Sequence, residues 1–316
     1  MSENTNTTKR RSAIRIMGSL IGLVKPLLHI MLAAIILGTL GYLCAIFLTI
    51  LAGQVIVYGL LTGVAGMNVP VDNMWLVLTP VKMIITVLIV IAVLRGILHY
   101  VEQYCNHFIA FKLLAIIRHK VFAALRKLCP AKLEGRDKGN LISIITTDIE
   151  LLEVFYAHTI SPIAIATLTS IIMVIFIGRY HWLAGVLALA AYLFVGVAIP
   201  MWNGKRGSQK GMEFRTNFGE LNSFVLDSLR GLDETIQYGQ GEKRKEQMSE
   251  RSKNLAGMQE SLSKMEGSQR SFTNMIILLA SFGMLALTIW LYDKGAMGFE
   301  GILTCTIAMM GSFGPV

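Results

Sequence analysis

The chain has 316 residues, of which 54% are hydrophobic and only 16% charged, with a mean hydropathy of +0.59 and a formal charge of +9. An ordinary soluble domain carries about 25% charged residues, so this composition excludes a water-soluble globular enzyme. Together with long uncharged runs it indicates an all-α integral membrane protein. The basic balance does not point to nucleic acid, because no stripe of Arg interleaved with aromatic residues accompanies it.

In chain order, residues 1–11 read as a disordered cytoplasmic tail. In residues 12–25, Ile14, Met17, Leu20 with Ile21, and Val24 fall on one helical face. That segment is either an amphipathic elbow lying on the inner membrane surface or the frayed start of the first span, which Pro26 opens. Lys9, Arg10, Arg11 and Arg15 resemble the basic start of a signal peptide, but the apolar run behind them is too long and no small-residue cleavage site closes it.

The first run, Leu27 to Leu61, contains no Lys, Arg, Asp or Glu. As a helix it would reach about 52 Å, against a hydrocarbon core of about 30 Å. It therefore either continues past the outer surface or breaks near Gly59 to Gly66. The second span runs from Trp75 to about Leu98, with Lys82 snorkelling. The third to fifth are the uncharged stretches Val154–Gly178, Tyr180–Gly204 and Ser271–Tyr292. A last apolar run, Gly301–Val316, ends with the chain and reads as a truncated sixth span.

With the N-terminus cytoplasmic, the outer loops carry Lys82, Arg179 and Lys294 against Asp72, Asp293 and Glu300, which cancel. The whole formal charge then lies inside, as the positive-inside rule requires. The expected location is the plasma membrane, crossed several times. Cys44, Cys105, Cys129 and Cys305 are scattered without a CxxC and read as reduced structural thiols.

Two polar segments, 95–153 and 205–270, interrupt the spans and read as cytoplasmic helical hairpins. In the first, Ile142, Ile145, Ile149, Leu152 and Tyr156 recur at spacings of 3 and 4, opposite a continuation of span two through His99, Tyr104, Phe108, Phe111 and Leu114. Pro, Gly and charge cluster between them at Cys129–Asn140, the tip. In the second, Phe218, Leu221, Val225, Leu229, Leu232 and Ile236 descend, and Met248, Leu255, Met258, Leu262, Met265 and Phe272 ascend, about a tip at Gly231–Gly241. These stripes are read as helix-to-helix packing. A stiff helical arm ending in a short turn transmits force, because docking at the tip becomes tilt of the rod.

Few single residues carry chemistry. Gln54, Tyr58, Asn274 and Thr288 either line a cavity or form interhelical hydrogen bonds. His99 and His107, eight positions apart, share a helix face and are where a haem or metal would be ligated, but no Cys or Asp cluster stands at ligand spacing. No metal site, catalytic dyad or triad is expected.

The run Arg136-Asp137-Lys138-Gly139-Asn140-Leu141-Ile142-Ser143, followed by Thr147-Asp148-Ile149-Glu150, resembles the first intracellular loop of ATP-binding-cassette exporters. Asp227–Met248, with Gly231, Glu234-Thr235-Ile236-Gln237 and Tyr238-Gly239, resembles their second coupling loop, and Met309–Val316 the start of their sixth helix. His99-Tyr100-Val101-Glu102 with His107 is similar to the thiol exporters of cytochrome assembly, although His99 and Gln103 stand where those members favour Arg.

The resemblance implies a six-helix exporter transmembrane fold and a coupling set of Lys138, Gly139, Asn140, Leu141, Asp148, Gly231, Glu234, Thr235, Ile236 and Tyr238. It also implies two partners, a nucleotide-binding domain or subunit and a second transmembrane half in a homo- or heterodimer, besides the lipid bilayer. ATP and Mg would sit on the nucleotide-binding partner. The chain contains no G-x-x-x-x-G-K-[ST]; Gly239-Gln240-Gly241-Glu242-Lys243 is a turn. We therefore expect residues 26–316 to form the six-span domain with no nucleotide-binding domain and no cofactor of its own. Export by alternating access is the function this implies. The alternatives are a non-transporting scaffold or receptor, and a nonfunctional fragment of a fused half-transporter.

Overall fold

A computed structural model of the chain describes residues 22, 25–63, 81–128 and 149–316. Most of the elbow segment and the whole of the first hairpin's tip, with Lys138, Gly139, Asn140, Leu141 and Asp148, lie outside the described residues.

Every element among them is helical. After a single turn at Lys25–Leu27, α1 runs unbroken over Leu28–Gly63, 36 residues or about 54 Å. The long first run is therefore helical through Gly59 as far as Gly63; the rest of the expected break, residues 64–66, lies outside the described residues. The α2 helix covers Val81–Leu128, so span two extends without interruption into the first hairpin. The α3 helix, Ile149–Phe155, passes through a wide π turn, Tyr156–Ile160, into α4, Ser161–Gly178. The α5 helix, Trp182–Leu193, passes through a second π turn, Phe194–Ala198, into α6, Ile199–Arg230. There follow α7, Leu232–Gln237, α8, Gly241–Asp293, and α9, Phe299–Gly311. Among the described residues, five helical stretches are long and apolar enough to cross a membrane: Lys25–Val57, Met83–Leu128, Tyr156–Gly178, Trp182–Gly204 and Gly241–Asp293.

The chain divides into two units. The first holds α1 to α4 as far as Phe176, with α9. Its α1 packs along α2 and α9, and α2 packs on α3. Where the chain enters the first span, Leu27 is buried with Ile109, Ala110, Leu113, Tyr156 and Ala157. Higher on α1, Phe47 meets Phe176 edge-on at 5.1 Å. Gln54 donates through Nε2 to Thr304 Oγ1 of α9 at 2.7 Å, both groups buried. Leu32, Ile36 and Leu40, four residues apart, stand exposed on α1, as a face against hydrocarbon does.

The second unit, Ile177–Met297, holds α5 to α8. The α8 helix packs against α6 and α5. Small buried residues, Ala184, Gly185, Ala188 and Ala191, make one face of α5, and the end of α4 approaches closely enough that a Cβ on Gly178 would lie 3.8 Å from Gly185 Cα. Small residues of this kind let helices approach in lipid, where the hydrophobic effect offers no drive between them.

Candidate functional site

The α6–α8 turn is built by local bonding. Gly231 ends α6 by donating its N–H to Asp227 O at 2.9 Å. The chain restarts at once as α7, with Asp233 and Glu234 in the first turn, where the helix dipole favours carboxylates. The Thr235 hydroxyl donates to Gly231 O at 2.7 Å, tying the first turn of α7 to the end of α6. Tyr238 N–H returns to Glu234 O at 2.9 Å, and Gln240 N–H to Thr235 O at 2.9 Å. Between them Gly239 has φ +64, a left-handed conformation that a side chain would strain.

The result is a six-residue helix across the end of two long rods. Ile236 and Tyr238 are 68% and 73% exposed, and Leu232 is exposed one turn before Ile236. The stripe that descends α6 is nowhere fully packed: Phe218 is already exposed, Leu221 and Val225 are half-buried, and Leu229, Leu232 and Ile236 stand exposed towards the tip, beside two acidic groups. Just behind the tip, two guanidinium groups of α8 approach the ring of Phe224 of α6, with Arg244 Cζ at 5.0 Å and Arg251 Cζ at 4.7 Å from its centroid. Lys210 Nζ donates to Ser261 Oγ at 3.3 Å further along the same two rods.

The expected cavity residues have other partners. Gln54 bonds Thr304, and the buried Thr288 hydroxyl donates to Met284 O, its own helix, at 2.9 Å. Asn274 is exposed, and the Tyr58 side chain lies outside the described residues. His99 and His107 are held apart by different partners: His99 Nδ1 lies 3.2 Å from Glu102 Oε2, whereas His107 stacks on Phe111 and meets His158 edge-on at 5.7 Å. Among the described residues no group of three or more His, Cys, Asp or Glu gathers as metal ligands do.

The first rod differs from its expected stripe. Tyr104, Phe108 and Phe111 are exposed, and the buried face of α2 carries Glu102, Asn106, Ile109, Ala110 and Leu113. Glu102 is only 3% exposed. Its carboxylate accepts from Asn106 Nδ2 at 2.6 Å and Gln103 Nε2 at 3.1 Å, besides the contact with His99. This hub presses on α1 at Gly38, where a Cβ would meet Ile165 and lie 3.0 Å from Glu102 Cγ. Beside it, Gly38, Tyr42, Arg95, Gly96 and His99 line an open cavity of about 380 Å³. The sequence reading missed Tyr42, Arg95 and Glu102. The available signal was the uncharged α1 run, which sets a membrane depth for any residue paired with its middle.

Residues 27–316 match the family model of the ABC transporter transmembrane region. A probable ABC transporter ATP-binding/permease protein of Haemophilus influenzae is 40% identical over 309 residues, covering 97% of this chain and 53% of that protein. The glutathione/L-cysteine transport system ATP-binding/permease protein CydD of Bacillus subtilis is 27% identical over 167 residues, 52% of this chain and 28% of that protein. An ATP-dependent lipid A-core flippase of Shewanella denitrificans is 24% identical over 180 residues, 56% and 30% of the two chains. The chain thus spans about half the length of the Haemophilus relative. An all-α arrangement of long membrane-length helices, two of which run on into a polar hairpin tipped by a short cross-helix, and a family match over nearly the whole length agree: the chain belongs to the ABC transporter transmembrane region family.

Proposed function

We propose that the chain is the permease half of an ATP-driven exporter, working as a dimer in the plasma membrane with its N-terminus inside. The carrying observation is α7, a short helix that presents Leu232, Ile236 and Tyr238 uncovered at the joined ends of α6 and α8. Apolar and aromatic groups held clear of their own fold, with acids alongside, fit a surface meant for insertion into a partner's groove. The partner is a nucleotide-binding domain, whether a further part of the same polypeptide or another subunit; the relatives' names join ATP-binding and permease in one protein.

Within the second hairpin, Gly231, Glu234, Thr235, Ile236 and Tyr238 make the docking surface. Lys138, Gly139, Asn140, Leu141 and Asp148 are assigned the same role on the first. ATP and Mg belong on the partner domain. The Gly239–Lys243 turn lacks the Lys-Ser/Thr end of a phosphate loop, and its Gly239 and Gln240 N–H groups are already bonded to Ile236 O and Thr235 O.

In operation, closure of the partner domains pushes on the tip and the rods tilt, opening the membrane portion to the outside. Because α8 is continuous from Gly241 to Asp293, displacement of its lower end reaches the membrane without an intervening hinge. The test is cysteine cross-linking of Thr235→Cys to a cysteine in the cleft of the cassette domain. An adduct whose yield changes with ATP supports the reading. Absence of adducts across a scan of positions 232–238, in protein that still hydrolyses ATP, overturns it.

A further inference from the structure

We propose that the cavity between α1 and α2 binds an oxyanion, a carboxylate or phosphate head seated on Arg95. Depth comes first. Tyr42 lies about 21 Å along α1 from Leu28, in the middle of a stretch without a single charged residue. Arg95 lines the same cavity as Tyr42 and therefore sits at membrane depth, where ionisable side chains are rare and serve binding or passage.

Charge comes second. Among the described residues Arg95 makes no hydrogen bond or ion pair. The carboxylate of Glu102, two turns further along α2, already serves Asn106, Gln103 and His99. Arg95 is exposed towards this open cavity, and a guanidinium at this depth favours a negative partner. Its planar fork matches two oxygens of a carboxylate or phosphate. Tyr42, on the α1 side of the same cavity, carries a hydroxyl that can serve as a second donor. Because Nδ1 of His99 is engaged by Glu102, Nε2 is the nitrogen left for a ligand.

Room comes third. About 380 Å³ falls within the range of small-molecule sites, about 300–1,000 Å³. Glycine makes the space: a Cβ added at Gly96 would meet nothing within 4 Å. The site would give the proposed transport its substrate class, an anion-headed solute or amphiphile, and only that use rests on the transport reading.

The experiment replaces Cys44, Cys105 and Cys129 by Ser, leaves the buried Cys305, and introduces Gly96→Cys in the full chain in phosphatidylcholine vesicles. Reaction rates with sulfonatoethyl and trimethylammonioethyl methanethiosulfonate are each divided by the rate with a free thiol. The sulfonate reagent should be favoured about tenfold or more, and Arg95→Gln should remove the preference. Succinate slowing the sulfonate reaction assigns the site to soluble carboxylates; phosphatidylglycerol slowing it assigns the site to lipid phosphate. Protection by neither, no preference, or a preference that survives Arg95→Gln overturns the proposal. Should Gly96→Cys fail to reconstitute, Ala92→Cys on the same wall replaces it. No nucleotide enters this test, so its failure leaves the docking reading standing, just as failed cross-linking at the tip would leave this site standing.

Discussion

The α1–α2 pair and the α6–α8 arms are both antiparallel helix pairs, yet they are joined by different means. The first is joined at close range: Glu102 of α2 packs against the Gly38 backbone of α1, which Ile165 of α4 also approaches, while the three partners of the buried carboxylate, Asn106, Gln103 and His99, all lie on α2 and fix its own surface. The second is joined at arm's length by long side chains, two Arg–Phe contacts and a Lys–Ser bond. Close packing has few alternative arrangements and behaves as a fixed unit. Flexible cationic side chains over an aromatic face keep their attraction through small displacements. The contrast assigns rigidity to one pair and adjustability to the other, which suits a membrane wall on the one hand and a transmission rod on the other.

The hub should show the largest effect when broken. Glu102→Ala leaves the side chains of Asn106 and Gln103 without their acceptor, and Asn106 Oδ1 is already unpartnered. The expected loss is about 3 kcal/mol, measured by denaturant unfolding of the reconstituted chain. Glu102→Gln retains an acceptor for Asn106 and should lose less than half of that. Equal losses would show that the negative charge, not the hydrogen bonding, holds α2 in place.

Glycine sharpens the comparison. Gly38→Ala forces the buried Ile165 aside and should cost about 1–3 kcal/mol. Gly219→Ala in α6 meets nothing within 4 Å and should stabilise by up to about 1 kcal/mol, through helix propensity alone. If both cost the same, the two pairs would not differ in tightness. At the tip, Gly239→Ala meets open space but a positive φ, so it should cost about 1–2 kcal/mol through backbone strain and weaken cross-linking at Thr235→Cys.

Phe224→Leu removes the clamp. Two partly solvated cation–π contacts amount to about 1–2 kcal/mol together. The same change should lower transport per ATP hydrolysed more than it lowers hydrolysis, if the arms must move as one. Hydrolysis and transport falling in step would assign Phe224 to stability only.

Much of this organisation was legible in the sequence. Gly231 and Gly239 bracketing a short acidic run marked the α7 turn, because a left-handed position and a helix restart have few residue solutions. The Leu27–Leu61 run marked α1, since nothing but helix satisfies a backbone of that length in lipid. The polar hub was not legible. Arg95, His99 and Glu102 begin a charged stretch, and by its own string that stretch belongs in water. Its depth is set by the helix it packs against, which a one-dimensional pattern does not carry. The same reason misassigned the face of α2: Tyr104, Phe108 and Phe111 make the more apolar stripe, but Glu102 and Asn106 satisfy each other and take the inner position.

The surface ion pairs of α8 should show the smallest effect. Lys264 Nζ lies 2.6 Å from Glu260 Oε1, and Arg270 2.9 Å from Glu266, each four residues apart with both partners exposed. In each pair the acid precedes the base, the better order along a helix. Solvation leaves each only about 0.3–0.5 kcal/mol, screened further by salt. Glu260→Gln should therefore shift stability by less than about 0.5 kcal/mol, and 1 M salt should erase the difference. These pairs lie within one helix and do not bridge α8 to α6, so the variant should leave the Phe224 clamp and the Thr235→Cys cross-link unchanged. A measurable fall in cross-linking would mean that the stiffness of the rod, and not only its grip on α6, decides how far a push at the tip travels.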